Sequence, residues 1–387
     1  MLTVIRSISM CSQIKINGAG IQGLACAWTL KEHHPVLFDT SNKVGGWIQT
    51  FRNNEYLFEE GPRGFRPKGK GLATLQLIKE LGLESELVAP SDKSHIRYIY
   101  RNNRLEPFPN KFKDIISPLG FILFKGIVSD LIKPKRDYQT LFDYFNYRFG
   151  SSFTHEILDP AIAGIYAGDI KQLSFAGCFP DIEKVARNNR SLVLGMLKNK
   201  TPKDPKWSQY PLLSLKGGMY TLIETLSKHF PIHLNQTCDA DIDCTPPQTS
   251  KASLIVVNLG FKDDVLKKPG FGYLVPSYLN EPVLGCVFDS NLFTEQNYTS
   301  TQTRLTIMVR WDEYSDLISL VQNTLSRHLN IQRDPDFVRI IHARNAIPQY
   351  YTAFGKGNGV NDAIFNGIEK GKSYGYRVDK RCITSSI

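Results

Sequence analysis

"QIKINGAGIQGLACAWTLKEHHPVLFDT", Gln13 to Thr40, decides the fold. Gln13 to Asn17 reads as a short buried strand, "LACAWTLKEH" as a helix and "PVLFDT" as a second strand. Between the first strand and the helix stand Gly18, Gly20 and Gly23 in the order G-x-G-x-x-G, and Asp39 closes the second strand twenty-one residues beyond Gly18. Each part has a physical task. Gly18 permits the tight turn, Gly20 lets a pyrophosphate approach the backbone, and Gly23 lets helix and strand pack closely. Ile21 and Gln22 open the helix, whose first amides and dipole favour phosphate charge. Asp39 can accept a hydrogen bond from a ribose hydroxyl. The pattern predicts a site for a dinucleotide; the alternative is a tight strand–helix turn without a ligand. Asn17 is polar where a small or apolar residue is usual.

The next stretch, "SNKVGGWIQT", sets Gly45, Gly46 and Trp47 just after the second strand. A second glycine pair there is typical of flavoproteins, where the chain must pass close to FAD, and is seldom found in NAD enzymes. FAD is therefore the expected cofactor. A chain of 387 residues is too long for one small core, so two or three folding units are expected. With 42% hydrophobic and 22% charged residues the composition is that of a globular protein. No run approaches the roughly 18–20 apolar residues that span a bilayer. The longest candidate, "ISPLGFILFKGIVSDLI" (Ile116 to Ile132), is interrupted by Pro118, Lys125 and Asp130 and suits a buried helix or one lying in a membrane interface. "MLTVIRSISMCSQ" has no apolar core or small-residue cleavage site, so no signal peptide is read there.

The net charge of +10 is scattered, without a basic arm or nucleic-acid motif, so no nucleic-acid partner is expected; anionic lipid or a carboxylate substrate suits it. The seven cysteines include no Cys-x-x-Cys pair, which points to reduced thiols in a cytosolic setting. His229 and His233 are four apart, but Pro231 lies between them, and no metal is expected. "GFRPKGKG" (Gly64 to Gly71) imitates a P-loop, yet Gly71 stands where a Ser or Thr should bind Mg²⁺ and no apolar strand precedes it.

Six further stretches occur in order: "FEEGPRGFRPKG" (Phe58 to Gly69), "GIYAGD" (Gly164 to Asp169), "LKGGMYTL" (Leu215 to Leu222), "VVNLGF" (Val256 to Phe261), "GFGYLVP" (Gly270 to Pro276) and "GNGVNDAI" (Gly357 to Ile364). With the first glycine turn they resemble the protoporphyrinogen oxidases, FAD-dependent members of the amine-oxidase-like superfamily, from about Ile14 to Gly371. The resemblance implies an α/β (α+β) fold: a Rossmann-like FAD-binding domain, a substrate domain on a mixed sheet and a helical membrane-binding insertion. The expected boundaries are 10–65, 205–260 and 341–375 for the FAD-binding domain, 66–92 and 261–340 for the substrate domain, and 93–200 for the helical part.

It further implies oxidation of protoporphyrinogen IX to protoporphyrin IX in haem biosynthesis, by hydride transfer to FAD and reoxidation by oxygen or another acceptor. Gly61, Pro62 and Arg63 are then expected near the flavin, and the late turn Gly359, Val360 and Asn361 closes its site. Arg97 is assigned to a substrate propionate, which a guanidinium fork suits. Gly168 presents its carbonyl to pyrrole N–H groups, and Phe293 packs on the ring. A strand arginine, a plain turn and a core phenylalanine are the structural alternatives for these three. The enzyme is expected in the cytoplasm, peripherally on the inner face of the cell membrane, and as a possible homodimer.

Two segments are shorter than the family's pattern. Where "CTPPQTSKAS" leads into "VVNLG" a hairpin and an apolar strand are missing, and only "TAFGK" (Thr352 to Lys356) stands before the late glycine turn in place of a helix and a strand. Loss of a central strand deprives its neighbours of hydrogen bonds and apolar cover. A catalytically weakened flavin- or porphyrin-binding relative therefore stays open, and beside it the oxidation of coproporphyrinogen III to coproporphyrin III, a substrate with four propionates that calls for more pocket cations.

Overall fold

Leu24, Ala25, Cys26 and Ala27 are buried on consecutive positions, so the helix that carries them is covered on more than one side. This helix, α1 (Ile21–Thr29), lies between a sheet and the last helix of the chain. The computed structural model describes residues 13–198, 202–246, 249–352 and 359–384. The sheet beside α1 is parallel throughout and contains β1 (Lys15–Asn17), β2 (Val36–Asp39), β5 (Ile232–Leu234) and β6 (Ile242–Asp243) in the order β6-β1-β2-β5. The strand–helix–strand reading of Gln13 to Thr40 is thus realised in β1, α1 and β2.

The expectation of a missing central strand needs correction. Ile242 pairs with Ile16, so the position beside β1 is filled, although by a strand of two residues. Its identity was hidden because two residues carry no periodicity. Among the described residues β6 is also the edge of this sheet, in keeping with the shortened segment before Gly357. One of its backbone groups finds another partner, since Lys370 Nζ donates to the Asp243 carbonyl, and just before the strand the Tyr374 hydroxyl donates to the Asp241 carboxylate at 3.0 Å.

The second sheet is mixed, with β3 (Arg97–Arg101), β4 (Arg104–Pro107), β7 (Lys251–Phe261), β8 (Gly272–Leu274), β9 (Val283–Val287), β10 (Thr303–Arg310) and β11 (Phe337–Pro348). Its order is β11-β7-β10-β9-β8-β3-β4, and β8 with β3 is the parallel pair. Residues 251–260 and 341–348, expected in the FAD-binding domain, pair in this sheet, as do 97–107, expected in the helical part.

The helical lobe begins after Pro107. It includes α3 (Pro118–Ile132), α4 (Leu141–Phe149), α5 (Asp159–Tyr166), α6 (Pro180–Asn188) and α7 (Leu192–Lys198) around a core rich in Tyr and Phe. Its buried charge is compensated: Arg148 meets Asp130 at 2.6 Å, and Ser191 donates to the same carboxylate. α2 (Gly71–Glu80) packs against the last helix of the chain, and α8 (Tyr220–Ser227) covers α1 from another side.

The last helix, α9 (Val360–Thr384), runs parallel to α1: Gly367 faces Gln22, Gly371 faces Cys26 and Thr29, and Gly375 faces Leu30. A Cβ at Gly367 would overlap the Gln22 carbonyl oxygen, whereas one at Gly375 would sit 3.4 Å from Leu30 Cδ2, an ordinary contact. Gly367→Val should therefore cost about 1–3 kcal/mol through overpacking, with Gly375→Ala near neutral. Chemical denaturation of both variants checks this, and equal midpoints would contradict the packing described.

Candidate functional site

The first glycine turn is built by hydrogen bonds that aim its backbone. Gly18 takes a φ of +96° and donates to the Phe38 carbonyl at 2.7 Å, tying the turn to the end of β2. Asp39 accepts from the Ala19 amide at 2.7 Å through one carboxylate oxygen and from Ser41 at 2.8 Å through the other. Its carboxylate is thus part of the turn, with lone pairs left for a ribose hydroxyl. Gly45 donates to the Ala19 carbonyl at 2.9 Å and takes a φ of +93°, so the second glycine pair folds over the first turn.

These contacts leave a cradle. Gly20 caps α1 without any side-chain hydrogen bond, so no side chain occupies the helix N-terminus. A Cβ on Gly20 would meet nothing within 4 Å, while one on Gly23 would overlap the Gly18 carbonyl. Open space thus faces the helix amides and close packing lies behind them. Gly46 stands across the cradle, where its own Cβ would be 3.8 Å from the Gly20 Cα. These residues fit a pyrophosphate. Ile21 is buried in the core, Gln22 lends its carbonyl to the contact with Gly367, and Trp47 is half exposed, its carbonyl packed on Gly61.

Beyond the cradle, Arg63 Nε donates to Asp289 at 2.9 Å, and Thr306 donates to the other Asp289 oxygen at 2.6 Å. Arg63 Nη2 is buried and has no partner among the described residues. Pro62, half buried, precedes it. Arg304, fully buried, bonds to the Leu57 carbonyl at 2.5 Å and the Asn297 side chain at 2.9 Å. Nearby Glu59 accepts from Met219 N at 2.7 Å and Thr50 Oγ1 at 2.8 Å. Burial nevertheless pushes its carboxyl up to about 7.

The late turn approaches from α9. Val360 is in the core of the first sheet, and Gly359 accepts from Ala363 N at 3.0 Å as its helix begins. Asn361 donates to the Arg66 carbonyl at 2.8 Å and accepts from Thr74 at 2.7 Å, while Asp362 meets Lys70 at 2.7 Å. The Asn361 side chain thus fastens the segment after "GPRG" to α9. Residues 353–358, the rest of that turn, lie outside the described residues.

Arg97 opens β3, and the parallel pairing of Arg97 with Gly272 brings the neighbouring Phe271 ring 5.3 Å beneath its guanidinium. Arg97 and Arg66 both reach solvent, and partial burial of the guanidinium together with the charge of Arg66 holds the Arg97 pKa below its usual value. Neither guanidinium has a hydrogen-bond acceptor among the described residues. Phe293 is 2% exposed and lies in a small cluster with Phe271, which is the ring nearer Arg97. Gly168 stands apart, in the helical lobe: its Cβ position is taken by Gln349, which donates to the Tyr166 carbonyl at 2.7 Å. Sequence reasoning missed Arg66 and Phe271, though both lie in the stretches "GPRGFRPKG" and "GFGYLVP".

The sequence pattern of the family described as flavin containing amine oxidoreductase matches residues 21–240. The chain belongs to this family. It is an FAD-dependent oxidoreductase, and its resemblance to protoporphyrinogen oxidases extends over most of its length. Human protoporphyrinogen oxidase is 28% identical over 422 aligned positions, covering 87% of this chain and 88% of the relative. Coproporphyrinogen III oxidase of Bacillus subtilis (strain 168) is 25% identical over 418, covering 87% of each. Both alignments are longer than the 387-residue chain, so the relatives carry segments that this chain lacks. A candidate protoporphyrinogen oxidase from Exiguobacterium sp. 255-15 has the same fold, with a TM-score of 0.74 at 19% identity over 94% of this chain and 98% of that one.

Two outcomes test the site. Gly20 has an extended φ of −75°, so Gly20→Val should melt like wild type yet fill the cradle and weaken FAD binding at least tenfold, read by flavin titration. Unchanged FAD affinity would remove the cradle from the site. Glu59, with its raised folded-state pKa, binds a proton more tightly folded than unfolded. Stability should fall as pH rises from about 4.5 to 7, a slope that Glu59→Gln should flatten in pH-dependent melting.

Proposed function

We propose that this chain oxidises a porphyrinogen in haem biosynthesis and that its substrate is protoporphyrinogen IX. The observation that carries the reading is that two arginines, Arg97 over the Phe271 ring and Arg66 in the segment tied by Asn361, have no hydrogen-bond acceptor among the described residues. Both are exposed to solvent, so two carboxylates can reach them from outside. Protoporphyrinogen IX carries two propionates, on neighbouring rings. Coproporphyrinogen III carries four, and would call for further free cations. The relatives named for each substrate match this chain at similar identity, so it is the charge count that favours the first.

FAD, when bound, accepts the hydride, and oxygen or another acceptor regenerates it. The protein supplies position. Arg97 and Arg66 hold the propionates, and Phe271, with Phe293 behind it, offers an apolar face for a ring. Gly168 is kept as a candidate ring contact, which needs the Gln349 side chain to move. Gly18, Gly20, Gly23, Asp39, Gly45, Gly46, Gly61 and the late turn hold the cofactor, with Pro62 and Arg63 next to Gly61 beside it.

The chain is further proposed to work in the cytoplasm at the membrane surface, where a poorly soluble substrate collects. α3 exposes Phe121, Phe124, Val128 and Ile132, a stripe at i, i+3, i+7 and i+11. Among the described residues no helix is long and apolar enough to cross a membrane. A homodimer is retained as a possible assembly.

Arg97→Ala should lower kcat/KM for protoporphyrinogen about ten- to hundredfold, the range expected for a lost charged hydrogen bond, with the flavin spectrum intact. The same assay with coproporphyrinogen should give the lower turnover in wild type. Unchanged kinetics in the variant, or preference for the four-propionate substrate, would sink the assignment.

A further inference from the structure

Two basic stretches, "KPKR" (Lys133 to Arg136) and "RNNR" (Arg187 to Arg190), are separated by fifty residues of chain (187 against 136). The fold brings them together. Lys135 and Arg136 follow the end of α3, Arg187 lies in the last turn of α6, and Arg190 comes two residues before α7. They ring a cavity of about 320 Å³ together with Tyr138 and Tyr147.

Its charge is only partly compensated. Arg148, at the inner wall, is matched by Asp130, and Arg187 by Glu183. Arg136 rests on the Tyr147 ring at 5.3 Å, and Arg190 has no side-chain acceptor among the described residues. Lys135 Nζ donates to the Arg187 carbonyl at 2.6 Å, which leaves its charge in place. Of the two lining carboxylates, Asp143 accepts from the Thr140 amide at 3.2 Å as a helix cap. Lys135, Arg136 and Arg190 therefore face Asp137, a surplus of positive charge in a concave setting.

The surroundings say which anion fits. The cavity lies at the end of the exposed apolar stripe of α3, where Ile132 is 66% exposed. α7 packs against α3 and exposes Leu194 and Leu197, the latter at 78%. Apolar side chains beside a cationic hollow match the layering of a bilayer leaflet, with acyl chains below the phosphate plane. We propose that this cavity binds the phosphate of an anionic phospholipid headgroup while the α3–α7 ridge enters the acyl region. The proposal rests on the membrane reading above and adds a defined headgroup site to it.

Flotation of the full chain, loaded with FAD, on phosphatidylcholine vesicles with and without phosphatidylglycerol tests it. Wild type should favour the anionic vesicles. Each basic residue at such a surface contributes roughly fivefold to partition, so Arg136→Gln with Arg190→Gln should lose about twenty-five-fold. Lys31→Gln with Lys228→Gln, an equal charge change on the nucleotide-binding half, should lose little. Porphyrinogen turnover in neutral detergent should stay at the wild-type level in both, which separates this site from the substrate reading. Equal losses in the two double variants would overturn the headgroup site, as would equal flotation of wild type on both vesicle types, a result that leaves the apolar membrane contact standing. Absence of flotation on either would remove both. Millimolar inorganic phosphate without vesicles should not raise the melting temperature. A rise in wild type that the Arg136/Arg190 variant lacks would assign the cavity to a free phosphate compound and overturn the lipid proposal.

Discussion

Helix α1 is gripped at backbone distance from two sides. Gly23 lies against the Gly18 carbonyl on the side of the turn, and Gly367 lies against the Gln22 carbonyl on the side of α9. No other residue can replace the hydrogen at these points without displacing main chain, so the contact fixes the height of one helix against the other. Because the helices run parallel, their N-termini open toward the same end, and the partial positive charges of both add there. The cradle at Gly20 and the anchoring of Arg66 by Asn361 are both consequences of that fixed height.

This geometry also links the two halves of the site. Asn361 belongs to the helix that grips α1, yet its side chain holds the carbonyl of Arg66, whose own charge acts on Arg97 in the second sheet. Arg63, three residues earlier, reaches Asp289 beside β10. The segment from Gly61 to Gly71 is thus a short strap between the last helix and the second sheet, held at Asn361 and Asp362 on one side and Asp289 on the other.

What could be read in the sequence follows from range. The turn at Gly18 to Gly23, its flanking strands and Asp39 form one contiguous unit whose chemistry is local, and the residues announce it. β6 could not be found in that way. Two residues give no pattern, and its place is set by the pairing of Ile242 with Ile16 more than two hundred positions away. Arg66 and Phe271 carry no local signal: Arg66 is placed by Asn361 of a distant helix, and Phe271 by the pairing of Gly272 with Arg97. Phe293 is buried and Phe271 partly buried in one small cluster, a grouping that their separation in sequence does not announce. Lys251 to Phe261 is apolar enough for either sheet, and only its partners, β10 and β11, decide between them.

The grip on α1 has a consequence for the order in which this protein can be made. Gln22 and Gly367 lie 345 positions apart (367 − 22), and β6, the strand beside β1, also depends on Lys370 and Tyr374 for its edge. At a synthesis rate of about 5–20 residues per second, the first strand and helix leave the ribosome tens of seconds before the helix that completes them. During that interval Ala25, Cys26 and Leu30, all buried in the finished fold, lack their cover from α9. The nucleotide-binding half is therefore begun first and closed last, and nascent chains of this protein carry an open apolar seam that chaperones are built to meet.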